Sequence, residues 1–289
     1  MRRSLKAVVG VVIGGLGLAG CSGQDVLNRL ASSAGYALVR DLPYAPDHHL
    51  ALDVYRPLDG VAAPVVVFFY GGRWSSGARA NYRFVGQALA ARGILVVIPD
   101  YRQYPAVRFP SFVDDGAAAV AWTLTHIAKF GGDPARVFVM GHSAGAHIAA
   151  LLALDGDYLH RAGAERKQLR GMIGLAGPYD FLPSTDADLQ AIFGPPERYP
   201  HALPVHFADG HNPPLLLLHG ENDTNVKIRN TRHLEAAVTR AGGPVTTVIY
   251  PRMGHLRMVA SVSSALGWSA DVRDQILRFV TRNGTVDSP

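Results

Sequence analysis

The pentapeptide Gly141-His142-Ser143-Ala144-Gly145 constrains this chain more than any other segment. It directly follows a continuous apolar run over residues 137–140 and directly precedes an apolar, helix-like run over residues 148–154. Joining the two demands a very tight turn. Glycines on both sides let the backbone pack closely while the serine is pushed out beyond the strand end. The start of the helix also favours negative charge developing beside it. The five-residue pattern alone recurs by chance, and a serine capping a helix is the plain alternative. The flanking strand and helix are what mark Ser143 as a candidate nucleophile.

The rest of the chain repeats this alternation. Residues 65–69, 94–98 and 215–218 are continuous apolar runs like 137–140. That pattern suits strands buried on both faces of a parallel sheet. Residues 172–175 and 246–249 read as two more strands, and residues 50–55 as an exposed antiparallel one. Ser111 is placed to cap a helix with apolar positions at Val113, Ala117, Val120, Ala121, Leu124, Ile127 and Ala128, stopped by Gly131-Gly132. Ile228, Leu234, Ala237, Val238 and Ala241 mark a second helix, and Ile276, Leu277, Phe279 and Val280 a closing one. The prediction is an α/β fold: a mostly parallel, doubly wound sheet with right-handed crossovers and helices on both faces. Residues 178–213, rich in proline and without periodicity, read as an insertion that shapes a pocket at one end of the sheet.

A serine hydroxyl needs a base, and imidazole is the usual one near neutral pH. A serine on such a turn is followed in the chain by an acid and then the histidine. Of twelve histidines, His255 lies after the last predicted strand, with Gly254 before it. His201, His206, His211, His219 and His233 come too early or sit on predicted helices and strands. His142 and His147 read as packing or surface residues. Asp223 follows the strand at 215–218 and is the candidate acid, with Glu221 as the nearest rival and Asp180 a weaker one. An oxyanion hole would take the N–H of Ala144 and N–H groups of Gly72 and Arg73, after the strand at 65–69. Each such donor is worth roughly 3 kcal/mol. No cofactor is implied. His206, Asp209 and His211, with His48 and His49, are metal-ligand types without fixed geometry, so they read as polar loop and no metal is expected.

The formal net charge of +5 is concentrated at the start, where Arg2, Arg3 and Lys6 stand in a stretch without acids. What is left gives no basic patch for nucleic acid. Residues 7–20 form an uncharged run shorter than the roughly 20 residues that span a bilayer. The run ends Leu18-Ala19-Gly20-Cys21, and Cys21 is the only cysteine, so no disulfide forms within the chain. This segment resembles the lipobox of bacterial lipoproteins, an ordinary signal peptide with a chance cysteine being the alternative. The resemblance implies a signal peptide over residues 1–20, lipidation of Cys21, and a membrane-anchored protein of the cell envelope. Ser22 resembles lipoproteins sorted to an outer membrane. Residues 21–40 then read as a linker and residues 41–289 as the folded domain.

Beyond the turn, Leu52-Asp53-Val54-Tyr55, Gly71-Gly72-Arg73-Trp74, Pro99-Asp100-Tyr101-Arg102, the run from Gly141 to His147, His219 to Asp223, and Gly254-His255 are quotable together. In these the chain resembles α/β-hydrolase carboxylesterases of the hormone-sensitive-lipase-like and feruloyl-esterase-like group, which also includes kynurenine formamidase. The likeness spans about residues 50–282. It implies a small-molecule ester substrate and an acyl-enzyme on Ser143. An arylformamidase, or a non-catalytic binding module on the same fold, is the alternative. The departure is Tyr70, where these enzymes usually have His before the glycines, so loop rigidity and substrate choice are expected to differ. Oligomeric state is not legible.

Overall fold

The apolar runs pair into a single eight-stranded sheet in the computed structural model, which describes residues 23–59, 61–267 and 269–284. In chain order the strands are β1 (Tyr36–Ala45), β2 (Leu50–Pro57), β3 (Ala63–Phe69), β4 (Leu95–Pro99), β5 (Gly132–His142), β6 (Leu169–Leu175), β7 (Leu215–Gly220) and β8 (Val245–Tyr250). Across the sheet the order is β1-β2-β4-β3-β5-β6-β7-β8. β3 to β8 are parallel, and β1 and β2 run antiparallel at one edge. The predicted continuous runs are the most buried, with Val65 to Phe69 and Val137 to Met140 at 0% exposure.

The main helices are α1 (Gly23–Leu30), α2 (Arg83–Ala90), α3 (Ser111–His126), α4 (Ala144–Leu154), α5 (Ala187–Phe193), α6 (Arg229–Arg240), α7 (His255–Ala260) and α8 (Val272–Asn283). The chain steps from β3 outward to β4, then back over β3 to β5 and onward. With right-handed crossovers this reversal puts α2 on one face and α3, α4 and α6 on the other. It also leaves a crevice at the C-terminal ends of β3 and β5, where open α/β sheets bind ligands. The insertion at 178–213 contains α5, the short helix Tyr199–Ala202 and two 3-10 turns. It is tied to the body by Phe109 N–H on the Ile192 carbonyl (3.0 Å) and Tyr179 N–H on Asn230 Oδ1 (3.0 Å).

Three expectations need correction. β2 is antiparallel but not exposed: Leu52, Val54 and Tyr55 have at most 1% exposure. β1 hydrogen-bonds along its outer edge, and α2 closes against Tyr55. Ser111 is the first residue of α3 rather than its cap, the capping position being Pro110. The helix ends at His126, and a 3-10 turn follows before Gly131. Third, the linker expected at residues 21–40 is ordered secondary structure from Gly23 onward. α1 docks by burying Leu27 (3% exposed), and β1 pairs with β2. Both elements escape sequence reading for physical reasons. α1 has only eight residues, and β1 carries Pro43 and two register shifts, as edge strands tolerate. The expected signal peptide, Cys21 and Ser22 lie outside the described residues.

Because Leu27 is a core residue, Leu27→Ala lowers unfolding free energy by about 2–4 kcal/mol. Urea or thermal melts measure this; a loose arm would leave the midpoint unchanged.

Candidate active site

β5 ends at His142 and α4 begins at Ala144, so Ser143 alone makes the turn, with φ 54° and ψ −123°. Backbone strain of this kind costs on the order of 1–3 kcal/mol and persists only where the surroundings impose it. Here they do. Ser143 N–H bonds the Leu175 carbonyl at 2.9 Å, and its own carbonyl accepts from Ala146 and His147 at 2.9 and 3.2 Å. A Cβ on Gly145 would lie 2.0 Å from the Phe69 carbonyl oxygen, and one on Gly141 would lie 2.1 Å from that of Gly145. Only glycines let the first turn of α4 approach β3 and β5 this closely.

The loop after β3 lies over this turn. A Cβ on Gly71 would be 3.1 Å from Ser143 Cβ. Gly72, Arg73 and Trp74 all have positive φ (144°, 54° and 56°). The Gly72 carbonyl accepts from Ser75 and Ser76 N–H at 3.1 and 3.0 Å, which fixes the peptide plane carrying the Arg73 N–H. Ala144 opens α4, where an N–H has no partner within its own helix. Gly72, Arg73 and Ala144 therefore belong to two segments that meet at Ser143.

Tyr70 is a brace rather than a gap in the pattern. It is 1% exposed, and its ring stacks between Tyr82 (5.7 Å) and Tyr101 (4.6 Å). Its hydroxyl donates to Asp100 Oδ1 at 3.1 Å and accepts from Gln103 Nε2 at 3.2 Å, while Tyr101 donates to its carbonyl at 2.8 Å. Asp100 is held in turn by Arg79, which also pairs with Asp41 and Asp53.

Asp223 and His255 meet. His255 Nδ1–H donates to Asp223 Oδ2 at 2.7 Å, so Nε2 is the ring nitrogen left for a further partner. Asp223 Oδ1 accepts from Asn225 and Val226 N–H at 2.9 and 2.8 Å. Burial alone would raise the Asp223 carboxyl. Hydrogen bonds from His219 and His255 outweigh it and hold the group well below the usual carboxylate range. The rivals are engaged elsewhere: Asp180 pairs with His233 at 2.5 Å, and Glu221 is exposed.

Three histidines matter more here than sequence suggested. His219 is fully buried, with Nε2 donating to the Val226 carbonyl at 2.9 Å and lying 3.4 Å from Asp223 Oδ2. His142 donates from Nε2 to the His255 carbonyl at 3.2 Å, and the two rings lie 4.7 Å apart. Burial, helped by the neighbouring His255, pushes its pKa down to about 3. His147, one turn beyond Ser143, donates to the Ala202 carbonyl at 2.7 Å, and burial lowers it to about 4. Nothing in sequence spacing marks these contacts, which join separate loops.

His147 also joins an aromatic cluster with Trp74 (5.2 Å) and Phe193 (5.7 Å). Trp74 stacks on Phe181 at 5.4 Å, and Arg73 pairs with Asp186 at 2.7 Å. The insertion thus packs against the loop after β3. The polar residues weighed as metal ligands do not converge: Asp209 pairs with Arg166 at 2.8 Å, and His206 bonds the Pro200 carbonyl at 3.2 Å. Among the described residues no group of three or more His, Cys, Asp or Glu is arranged to hold a metal ion.

The sequence model of the BD-FAE family matches residues 52–238. Isoprenylcysteine alpha-carbonyl methylesterase of Arabidopsis thaliana is 30% identical over 239 residues, 75% of this chain and 56% of that one. Esterase LipQ of Mycobacterium tuberculosis is 30% identical over 240 residues, again 75% and 56%. The chain spans about half the length of the curated relatives it matches. Among solved structures, a truncated carbohydrate esterase from gut microbiota superposes with TM-score 0.75, 20% identity, and coverage of 88% of this chain and 99% of that one. The apo form of Thermogutta terrifontis esterase 2 gives 0.72, 22%, 89% and 98%. The fold is that of the α/β-hydrolases.

The buried histidines set a pH dependence. From 6.5 downward the unfolded chain binds protons that folded His142 and His147 refuse, so stability falls as pH drops toward 4. Asp223, also depressed, adds a loss only below the ordinary carboxylate pKa of about 4. His147→Gln, which keeps a donor for Ala202, flattens part of the slope between pH 6.5 and 4.5. A series of melting temperatures against pH measures it; an unchanged slope would refute the assignment.

Proposed function

We propose, on the premise that this chain belongs to the BD-FAE family, that it hydrolyses carboxylic esters through an acyl-enzyme on Ser143. One observation carries the reading: the strained Ser143 turn lies beside His255, whose ring is held by Asp223. Ser143 Oγ attacks the ester carbonyl carbon as His255 Nε2 takes its proton. The imidazolium so formed is stabilised by Asp223, which keeps its own negative charge. The developing alkoxide accepts from the N–H groups of Ala144, Gly72 and Arg73. Collapse breaks the bond to the alcohol oxygen, which leaves with the proton from His255. Water, deprotonated by His255, then attacks the acyl-enzyme and releases the acid with Ser143 restored.

The Trp74, Phe181 and Phe193 rings fill space beside the loop after β3, which favours a short acyl group. The plant relatives are named methylesterases, so a small alcohol belongs in the substrate range. Ser143→Ala abolishes turnover of p-nitrophenyl acetate and butyrate and labelling by an organophosphonate, with folding intact. Wild-type kcat/KM falls as the acyl chain lengthens beyond butyrate. Retained turnover in Ser143→Ala, or faster turnover of N-formylkynurenine than of any ester, would sink the reading.

The basic start, the uncharged run over 7–20 and the cysteine at 21 support a second part: lipidation of Cys21 and anchoring in the cell envelope, on the outer membrane where Ser22 governs sorting. In a bacterial host, Cys21→Ser moves the protein from the membrane to the soluble fraction and abolishes incorporation of labelled palmitate. Palmitate incorporation that persists in the variant would exclude Cys21.

A further inference from the structure

α1 reaches the catalytic crevice through a chain of hydrogen bonds. Gln24 Nε2 donates to the Tyr82 hydroxyl at 2.9 Å, and that hydroxyl donates to the Gly71 carbonyl across a longer 3.4 Å. Tyr82 is 2% exposed, and its ring stacks on Tyr70. Burial pushes its pKa up to about 12, so the hydroxyl keeps the proton it donates. One turn along α1, Asn28 bonds the Ala80 carbonyl and the Phe84 N–H at 2.9 and 3.0 Å. The start of α1 is therefore clamped to the element that supports the loop over Ser143.

A peptide unit is planar and trans, so its C=O and the following N–H point in opposite directions. Drawing the Gly71 carbonyl toward Tyr82 turns the Gly72 N–H away from Tyr82. Gly72, with φ 144° and no side chain, has the rotational freedom to let that plane flip. The adjacent plane is already fixed through the Gly72 carbonyl by Ser75 and Ser76. The other plane receives the Tyr82 hydroxyl's hydrogen bond on its Gly71 carbonyl.

We propose that α1 is a positioning element for the oxyanion loop, with Gln24 orienting the Tyr82 hydroxyl and Tyr82 aiming the Gly72 N–H. The proposal rests on the ester-hydrolase reading, in which that N–H faces the developing alkoxide. It makes α1 a support of the loop that carries the proposed oxyanion donors.

A double-mutant cycle tests it. Tyr82→Phe keeps the ring stack and removes the hydroxyl; Gln24→Leu removes the donor at the other end. Each is expected to lower kcat about 3- to 10-fold, a fraction of the loss from deleting an oxyanion donor outright, with KM within about twofold. Organophosphonate labelling should slow in the same ratio, because the adduct places an oxygen where the alkoxide forms. The double variant should lose no more than Tyr82→Phe alone, as for two groups acting in series. Losses that multiply, or a lowered melting temperature with unchanged kcat, would overturn the proposal. Ser143→Ala keeps the two levels apart: if it retains activity the hydrolase reading fails, and if it is inert while the cycle is flat only the relay fails.

Discussion

The contact on which this structure depends is the approach of the first turn of α4 to the end of β3. Gly145 lies so close to Phe69 that any side chain would overlap its carbonyl oxygen, and Gly141 is packed as tightly against Gly145. That closeness leaves one residue to turn the chain from strand to helix, and Ser143 takes a backbone conformation it would not adopt unaided. Its position follows from the sheet. β3 and β5 pair in register, Phe69 opposite Gly141, so the loop after one strand must lie over the turn after the other. Ser143 and the loop that carries Gly72 and Arg73 are neighbours because their strands are.

How much of this was legible in sequence depends on where the information sits. The central strands announce themselves, since burial on both faces demands unbroken apolar runs. The Ser143 turn is legible for the same reason as its packing: the glycines are there because nothing else fits. Asp223 and His255 follow from their places after β7 and β8, and the hydrogen bond between them agrees with that expectation. β1 and α1 were not legible. Their contribution is made by polar side chains such as Gln24 and Asn28 meeting distant partners, and neither leaves a periodic trace. β2 was misread as exposed because alternation records its composition, while its burial comes from β1 and α2.

Tyr70 shows the same limit at a single position. A departure from a family pattern suggests a weakened loop, yet this position is tightly held. Three stacked tyrosines, a carboxylate at Asp100 and the Arg79 guanidinium hold it. Asp100 and Tyr101 were visible as a motif, but their partner was not, since β3 and β4 had to be paired before Tyr70 and Tyr101 could meet.

The electrostatics complete the dependence on geometry. Catalysis of the proposed kind requires His255 to become an imidazolium transiently, beside a His142 ring only 4.7 Å away. A charged His142 would oppose that step. Burial keeps it neutral, and with Nε2–H donated to the His255 carbonyl it holds the start of α7 without competing for the proton. Asp223 meets the opposite requirement: it must stay ionised although its side chain is fully enclosed. Two backbone N–H groups on Oδ1 and the His255 N–H on Oδ2 compensate for the water it has lost, with the buried His219 alongside. One buried imidazole is thus kept uncharged and one buried carboxylate kept charged, both beside His255. The difference lies in hydrogen bonding: among the described residues His142 Nδ1 is enclosed without an acceptor that would favour a second proton, whereas the donors around Asp223 favour the anion.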